Sequence, residues 1–337
     1  MISSKNENAF NGKRRTFLKS SLLLGVASLL PGAVLSGEKN SSRTSCPFVR
    51  VGGPIFKKEE DPEMFMKAAR DLKYRAVYVP GYLSLNDLAN IRKWREAAEK
   101  YGLIFAEAGI WCNLMDSSPD QRKSNFDQVV ERLALADEIG ARCCVDVAGK
   151  YLSEKSGWPV EKNLSKEFFD LSVENARKII DAVKPKRTKF AYEAMGWAIP
   201  HTPDSYLQLL KAIGRKEFGV HLDICNMINS PEKFWNSTAL IRESFEKLGQ
   251  WVVSCHAKDL LWKLEMNIHF IECVIGQGNV DYAAYLKCIA ALPGEVPLMM
   301  EHLKSREEYI QSRDHIFKVA AANGISCSAK ESEKDPA

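Results

Sequence analysis

The chain has 337 residues, 45% hydrophobic and 27% charged; that length and composition allow one large α/β barrel or two smaller domains around a sizeable core. The net charge of +4 sits in residues 1–37, where Lys5, Lys13, Arg14, Arg15 and Lys19 face Glu7 alone. The remainder is neutral, so there is no electrostatic reason to expect a nucleic acid or an anionic membrane as partner.

Residues 1–37 read as a targeting segment. Lys13-Arg14-Arg15-Thr16-Phe17-Leu18-Lys19 precedes a short apolar stretch broken by Pro31-Gly32, too short and too rich in small residues for a membrane span. The paired arginines followed by Phe-Leu-Lys resemble a bacterial twin-arginine export signal, with cleavage near Ser36 or Gly37 and a soluble periplasmic product. An ordinary secretory signal and an uncleaved anchor are the alternatives. A Ser/Asn-rich linker (38–46) follows, then a folded body (47–325) and a charged tail (326–337) expected to be disordered. Nine cysteines in an exported chain invite a disulfide reading. Their odd number, the lack of a C-x-x-C pair and their position in apolar runs favour buried free thiols.

Within the body, apolar runs at 48–51, 76–79, 103–106, 143–147, 189–193, 219–223, 252–256 and 298–301 alternate with helical patterns. Eight strands at βα spacing predict a single (β/α)8 barrel. An open doubly wound sheet is the alternative, weakened by the lack of a G-x-G-x-x-G turn. Helix starts are marked at Asp61-Pro62, Ser118-Pro119 (with Gln121 as capping-box partner), Thr202-Pro203 and Ser305 (with Glu308). Tyr206, Leu209, Leu210 and Ile213 form one apolar helical stripe. A ninth strand-like run, 269–276, falls in the long gap after the seventh strand and reads as an excursion of that loop.

The last four strands each close on a polar residue: Glu193, Asp223, His256 and Glu301, separated by 30, 33 and 45 residues. Strands that end in polar residues at βα pitch place those side chains on one rim of a barrel. Three carboxylates and one imidazole there can hold a hard-to-borderline divalent cation. One divalent ion is expected, Mn²⁺ first, with Mg²⁺, Co²⁺ or Zn²⁺ as alternatives.

The order Glu, Asp, His, Glu resembles the xylose-isomerase-like barrel superfamily, whose members include ketose 3-epimerases, inosose dehydratases, hydroxypyruvate isomerase and endonuclease IV-type enzymes. His256-Ala-Lys258-Asp259 is similar to the family's His-x-Lys-Asp. Gly276-Gln-Gly278-Asn-Val-Asp281 is similar to its Gly-x-Gly-x-Val-Asp loop. The resemblance spans roughly residues 48–322 and implies that Glu193, Asp223, His256 and Glu301 bind one metal. Two departures bear on the substrate. Asn226 stands where many members carry a histidine, and ketose epimerases tend to carry an arginine shortly after the metal histidine, whereas this chain offers Lys258 and Lys263.

Other residues are placed near the rim: Glu107, Trp111 and Asn113 after the third strand, and Trp197 and His201 after the fifth. Glu107, Trp111, Asn113, Trp197, Asn226 and Lys258 are candidate substrate contacts, the indoles as platforms for a sugar face. His221 shares a strand face with Asp223 one layer deeper and reads as a hydrogen-bonded core histidine. His269 and Glu272 belong to the excursion and are further candidates to reach the site.

The expected activity is metal-dependent isomerisation or epimerisation of a sugar or sugar derivative through an enediolate, with Glu193 and Glu301 as base and acid. A keto-glycoside lyase or polyol dehydratase is the alternative on the same metal. A non-catalytic sugar-binding protein is the alternative of another class, motivated by Asn226. An endonuclease IV-type phosphodiesterase needs a histidine-rich multi-zinc site, and six histidines mostly off the strand ends with a neutral body disfavour it. The expected partner is a small carbohydrate; the sequence does not specify an oligomeric state. Replacing both Arg14 and Arg15 by Lys is expected to leave the precursor in the cytoplasm. Unimpaired export of that variant, followed by fractionation, would point to the general secretory route.

Overall fold

The computed structural model describes residues 47–327; the expected targeting segment, the expected linker through residue 46 and residues 328–337 lie outside the described residues. Eight strands close into a parallel barrel: β1 (Arg50–Gly52), β2 (Ala76–Tyr78), β3 (Ile104–Gly109), β4 (Cys143–Asp146), β5 (Lys189–Glu193), β6 (Phe218–Leu222), β7 (Val252–Ala257) and β10 (Pro297–Met300). The chain runs round the barrel in order, and β10 pairs with both β7 and β1 to close it. Such strands are buried on both faces, which is why they read as continuous apolar runs. The single (β/α)8 barrel of the sequence reading is the observed fold.

The ring of helices comprises α1 (Pro62–Asp71), α2 (Leu88–Lys100), α3 (Pro119–Ile139), α4 (Lys166–Val183), α5 (Pro203–Ile213), α8 (Ser237–Leu248), α9 (Tyr282–Ala290) and α10 (Arg306–Ala322), with short α6 (Ile224–Met227) and α7 (Pro231–Trp235) after β6. The marked helix starts are real caps. The side chains of Asp61, Ser118, Thr202 and Ser305 each accept the backbone N–H three residues on. The two predicted capping boxes differ in their second half. Ser118 N–H is already bonded to Asp116, so the Gln121 amide turns to Asn125 instead, and Glu308 reaches Lys304 N–H, one residue before the cap. Thr202 and Ser205 form the reciprocal pair. On α5, Tyr206, Leu209, Leu210 and Ile213 are buried against the barrel as their spacing requires.

The folded body extends past residue 325. Ser326 N–H donates to Pro47 O at 2.8 Å, its carbonyl accepts from Val49, and Cys327 is buried. All eight cysteines among the described residues are free, and burial pushes the Cys255 thiol up to about 12.

The run at 269–276 is an excursion, as read, but it has a partner strand. β8 (Asp259–Trp262) pairs antiparallel with β9 (Phe270–Cys273), Asp259 opposite Cys273 and Trp262 opposite Phe270. β8 is not anticipated because only Lys258 separates it from β7, and the polar pair Lys258-Asp259 reads as the end of the strand. Asp259 ties the hairpin to the following loop. Its Oδ1 accepts N–H from Leu260 and Val280, and its Oδ2 accepts N–H from Gly276 and Gly278, all within 3.0 Å. A Cβ on Gly278 would lie 2.2 Å from Asp259 Oδ1, which accounts for the second glycine of the Gly-x-Gly loop. Asp281 ends the same loop by capping α9.

Both oxygens of Asp259 face two backbone donors, and an amide offers only one acceptor oxygen. Asp259→Asn is therefore expected to lower unfolding free energy by about 2–3 kcal/mol, because one pair of N–H groups then meets an NH2. Denaturant unfolding measures it, and a loss below about 0.5 kcal/mol would show that the loop is held by other contacts.

Candidate metal centre

The barrel brings four of the predicted residues to one point at the C-terminal ends of neighbouring strands. Glu193 is the last residue of β5, Asp223 follows β6, His256 lies one before the end of β7, and Glu301 follows β10. One ligand atom from each lies within 4.8 Å of the others. His256 Nδ1 is 2.8 Å from Glu301 Oε1, 3.1 Å from Glu193 Oε1 and 3.4 Å from Asp223 Oδ2. Asp223 also caps α6, its Oδ1 accepting Asn226 N–H at 2.8 Å, which leaves Oδ2 turned toward the cluster.

Lys258 enters the same cluster. It is 4% exposed, with Nζ 2.6 Å from Glu301 Oε1 and 2.9 Å from Asp223 Oδ2. Asn226 spans the gap between them: its Oδ1 accepts from Lys258 Nζ at 3.2 Å, and its Nδ2 donates to Glu193 Oε1 at 3.1 Å. Trp111 Nε1 donates to the other Glu193 oxygen at 3.0 Å. Burial disfavours every charge here. For His256 the carboxylates of Glu301, Glu107 and Glu193 outweigh burial and raise the imidazole well above its usual range. For Lys258 the carboxylates of Asp223 and Glu301 do the same. For Asp223 the cations Lys258 and His256 outweigh burial and hold its carboxyl well below the usual range, and for Glu301 His256 and Lys258 act in the same direction.

Asp223 Oδ2 and Glu301 Oε1 are buried and accept no hydrogen bond of good geometry among the described residues; what faces them is positive charge. Two such oxygens, with Glu193 Oε1 and the Nδ1 nitrogen, form an O/N donor set that fits a divalent cation of the Mn²⁺ or Mg²⁺ type. The cluster opens into a cavity of about 490 Å³ walled by Trp111, Met195 and Trp197, with Asn226, Lys258 and His302 on its polar side. A larger groove of about 590 Å³ between α1 and α2 includes Asp61, Glu63, Lys67 and Lys100, and no cluster of potential metal ligands lies there among the described residues.

The other predicted residues are placed differently. Trp111, Trp197, Asn226 and Lys258 line the cavity. Glu107, expected on the rim, is fully buried inside the barrel. β3 continues through Glu107 to Gly109, three residues beyond the apolar run, so the carboxylate points into the interior beneath His256. Its Oε1 lies 3.0 Å from His256 Nε2 and its Oε2 lies 2.6 Å from His221 Nε2, which makes His221 the hydrogen-bonded core histidine of the sequence reading. Asn113 does not line the cavity: its Oδ1 accepts N–H from Met115 and Lys150, shaping the loop after β3. His201 lies on the loop before α5, where burial, and then the charge of Lys233, lower its imidazole below the usual range. His269 pairs with Glu265 on the exposed hairpin. Glu272 does reach the site, 3.9 Å from Lys258 Nζ.

Two residues lining the cavity, Met195 and His302, are not anticipated by the sequence reading. His302 follows Glu301 with φ +60°, a conformation rare for a residue with a Cβ. Its Nδ1 is 2.8 Å from Glu272 Oε1, and its Nε2 is 3.8 Å from Glu301 Oε2. Nothing in the local sequence announces a left-handed residue there; its position directly after a strand-end glutamate was the available signal.

The xylose isomerase-like TIM barrel family matches residues 66–319, and the chain belongs to that family. No curated protein matches the sequence. Solved structures agree on the fold. A xylose isomerase-like TIM barrel protein from Mycobacterium smegmatis in complex with magnesium is 16% identical, covering 83% of this chain and 98% of its own, with TM-score 0.59. The 3-keto-D-glucoside 4-epimerase from E. coli is 13% identical, covering 80% and 99%, with TM-score 0.60. The D-psicose 3-epimerase from Clostridium cellulolyticum H10, with D-tagatose, is 14% identical, covering 83% and 97%, with TM-score 0.58.

Lys258 places an ammonium against the candidate ligand oxygens, so it offsets their charge and would compete with a cation entering there. Lys258→Met is expected to destabilise the metal-free protein by about 3 kcal/mol. Added Mn²⁺ should then raise the thermal midpoint by more than it does in the wild type, because it replaces a missing charge. Equal metal-induced shifts in the two proteins would contradict competition at this site.

Proposed function

We propose that the protein is a divalent-metal-dependent sugar isomerase or epimerase that moves a proton at a carbon next to a carbonyl. The observation that carries the reading is the convergence of Glu193, Asp223, His256 and Glu301 at the floor of a cavity with two indole walls. Glu193, Asp223, His256 and Glu301 would hold the ion, which when bound supplies polarisation of a substrate carbonyl and its neighbouring hydroxyl.

The chain's own groups divide the remaining work. Glu193 and Glu301 stand on β5 and after β10, separated by β6 and β7 around the barrel. That spacing suits removal of a proton by one carboxylate and delivery by the other. Glu301 Oε2 is the less encumbered oxygen, with His302 at 3.8 Å, whereas Glu193 Oε2 is held by Trp111. Trp111 and Trp197 offer flat apolar faces to the C–H side of a sugar ring, and Asn226 offers a neutral donor and acceptor. The cation nearest the cavity, Lys258, is already paired with Asp223 and Glu301, which favours an uncharged sugar over a phosphorylated one. The similarity in fold to a 3-keto-D-glucoside 4-epimerase and a D-psicose 3-epimerase supports the reaction class, and the leader in residues 1–37 supports a periplasmic location.

The test is exchange in D₂O, with the Mn²⁺-loaded protein and a panel of ketoses and 3-keto-glycosides. Substrate recovered with deuterium at the carbon next to the carbonyl is expected. Loss of substrate to an unsaturated product would instead identify a lyase or dehydratase. Glu193→Gln and Glu301→Gln, with metal restored, are each expected to slow exchange roughly 10²–10⁴-fold. Wild-type exchange in both variants would remove the two glutamates from the chemistry.

A further inference from the structure

Below the proposed metal centre lies a second, sealed layer of polar groups that proton transfer does not use. Glu107, His221 and Ser254 are all fully buried. Glu107 Oε1 is 3.0 Å from His256 Nε2; Glu107 Oε2 is 2.6 Å from His221 Nε2 and accepts from Ser254 Oγ at 3.2 Å. The His221 ring packs edge-on against His256, with centroids 4.1 Å apart and planes at 78°. The imidazole of His256 is thus held at Nε2 by a carboxylate and packed against a second ring.

A histidine can present either nitrogen to a cation, and its other nitrogen must then keep the proton. We infer that Glu107 is a positioning residue for His256: by accepting the Nε2–H it fixes Nδ1 as the nitrogen aimed at Glu193, Asp223 and Glu301. The inference rests on the reading that those residues bind a divalent ion. Three features support it. Glu107 sits on rigid β3, facing β6 and β7 across the interior, so the geometry does not depend on a loop. Within the described side chains its carboxylate meets only donors, two imidazole nitrogens and a hydroxyl, which compensates a charge that burial would otherwise expel. And His256 Nδ1 already faces all three ligand carboxylates at 2.8–3.4 Å, so no ring flip is needed on binding.

The same three residues, Glu107, His221 and His256, also satisfy the distance requirement for a metal cluster. A cation there would need His256 Nε2 as a ligand, stripping the proton that the Glu107 contact holds. The close His221–Glu107 contact at 2.6 Å is a hydrogen bond, and it favours the proton over the ion.

Outer carboxylates of this kind are worth about 10–100-fold in metal affinity. Calorimetry with Mg²⁺ alone is therefore expected to show Glu107→Leu binding about 10–100-fold more weakly than the wild type. Glu107→Gln should recover most of that loss. Its amide oxygen still accepts His256 Nε2–H, and His221 is free to turn its proton onto Nδ1, which has no partner in the described structure. A pure packing role would not separate Leu from Gln in this way. A second readout needs no variant: ¹⁵N spectra of histidine-labelled, Mg²⁺-loaded wild type should show His256 protonated at Nε2 and metal-shifted at Nδ1. Equal Mg²⁺ affinity in Glu107→Leu and wild type, or His256 protonated at Nδ1 in the loaded protein, would overturn the positioning role. Two Mg²⁺ per chain, with one lost in Glu107→Leu, would overturn it in favour of a second ion site. A wild type that binds no Mg²⁺ would overturn the metal reading itself, and the positioning role with it.

Discussion

His256 is the residue on which the arrangement of the site depends. Its ring lies in the barrel interior with one nitrogen against Glu107 and the other against Glu193, Asp223 and Glu301. Four carboxylates around one imidazole are tolerable out of water only with further positive charge, and Lys258 brings it from two residues along the same chain. A buried charge without a partner costs several kcal/mol. The cluster therefore constrains its own composition: removing either cation, His256 or Lys258, leaves carboxylates uncompensated. This follows directly from β7, which carries His256 near its end and hands Lys258 and Asp259 to the turn that begins the hairpin.

That turn links the charge cluster to the outer structure. Asp259 gathers four backbone N–H groups from the hairpin and from the loop before α9. Glu272, on the opposite strand of the hairpin, meets His302 beside Glu301. The hairpin is thus anchored at its base by backbone donors and tied to the cavity edge by one side-chain pair. Its tip projects outward, with Leu264 and Met266 almost fully exposed. On the other side of the cavity Trp111, in a left-handed conformation, lies over Gly109, where a Cβ would meet its ring at 2.1 Å. A larger residue at 109 would push the indole off its bond to Glu193.

Much of this arrangement is legible in the amino-acid sequence. A barrel strand buried on both faces leaves a continuous apolar run, and the polar residue that stops the run is where the chain reaches the rim. That logic found Glu193, Asp223, His256 and Glu301, and it predicted an inner histidine at His221. It fails at Glu107 for the same physical reason: a charge reads as the end of β3, whereas the strand continues and the carboxylate is hydrogen-bonded inside by two histidines from other strands. Partners so distant in sequence leave no local trace. Asn113 was misplaced because its side chain bonds the backbone of a loop whose shape the sequence does not encode by period. His302 was missed because its position depends on a left-handed turn without glycine, and β8 because it runs on from β7. The caps and Pro starts of the helices, being local, read correctly, although the side chains expected to complete two capping boxes took other partners.

The central claim is that the four strand-end residues form a site for one divalent cation. Anomalous diffraction at the manganese edge from crystals of the Mn²⁺-loaded protein tests it most directly. A single peak is predicted within coordination distance of Glu193, Asp223, His256 Nδ1 and Glu301, with the Lys258 ammonium displaced from its contacts with Asp223 and Glu301. Density showing Lys258 still seated between those carboxylates, with no anomalous peak among the four residues, would contradict it.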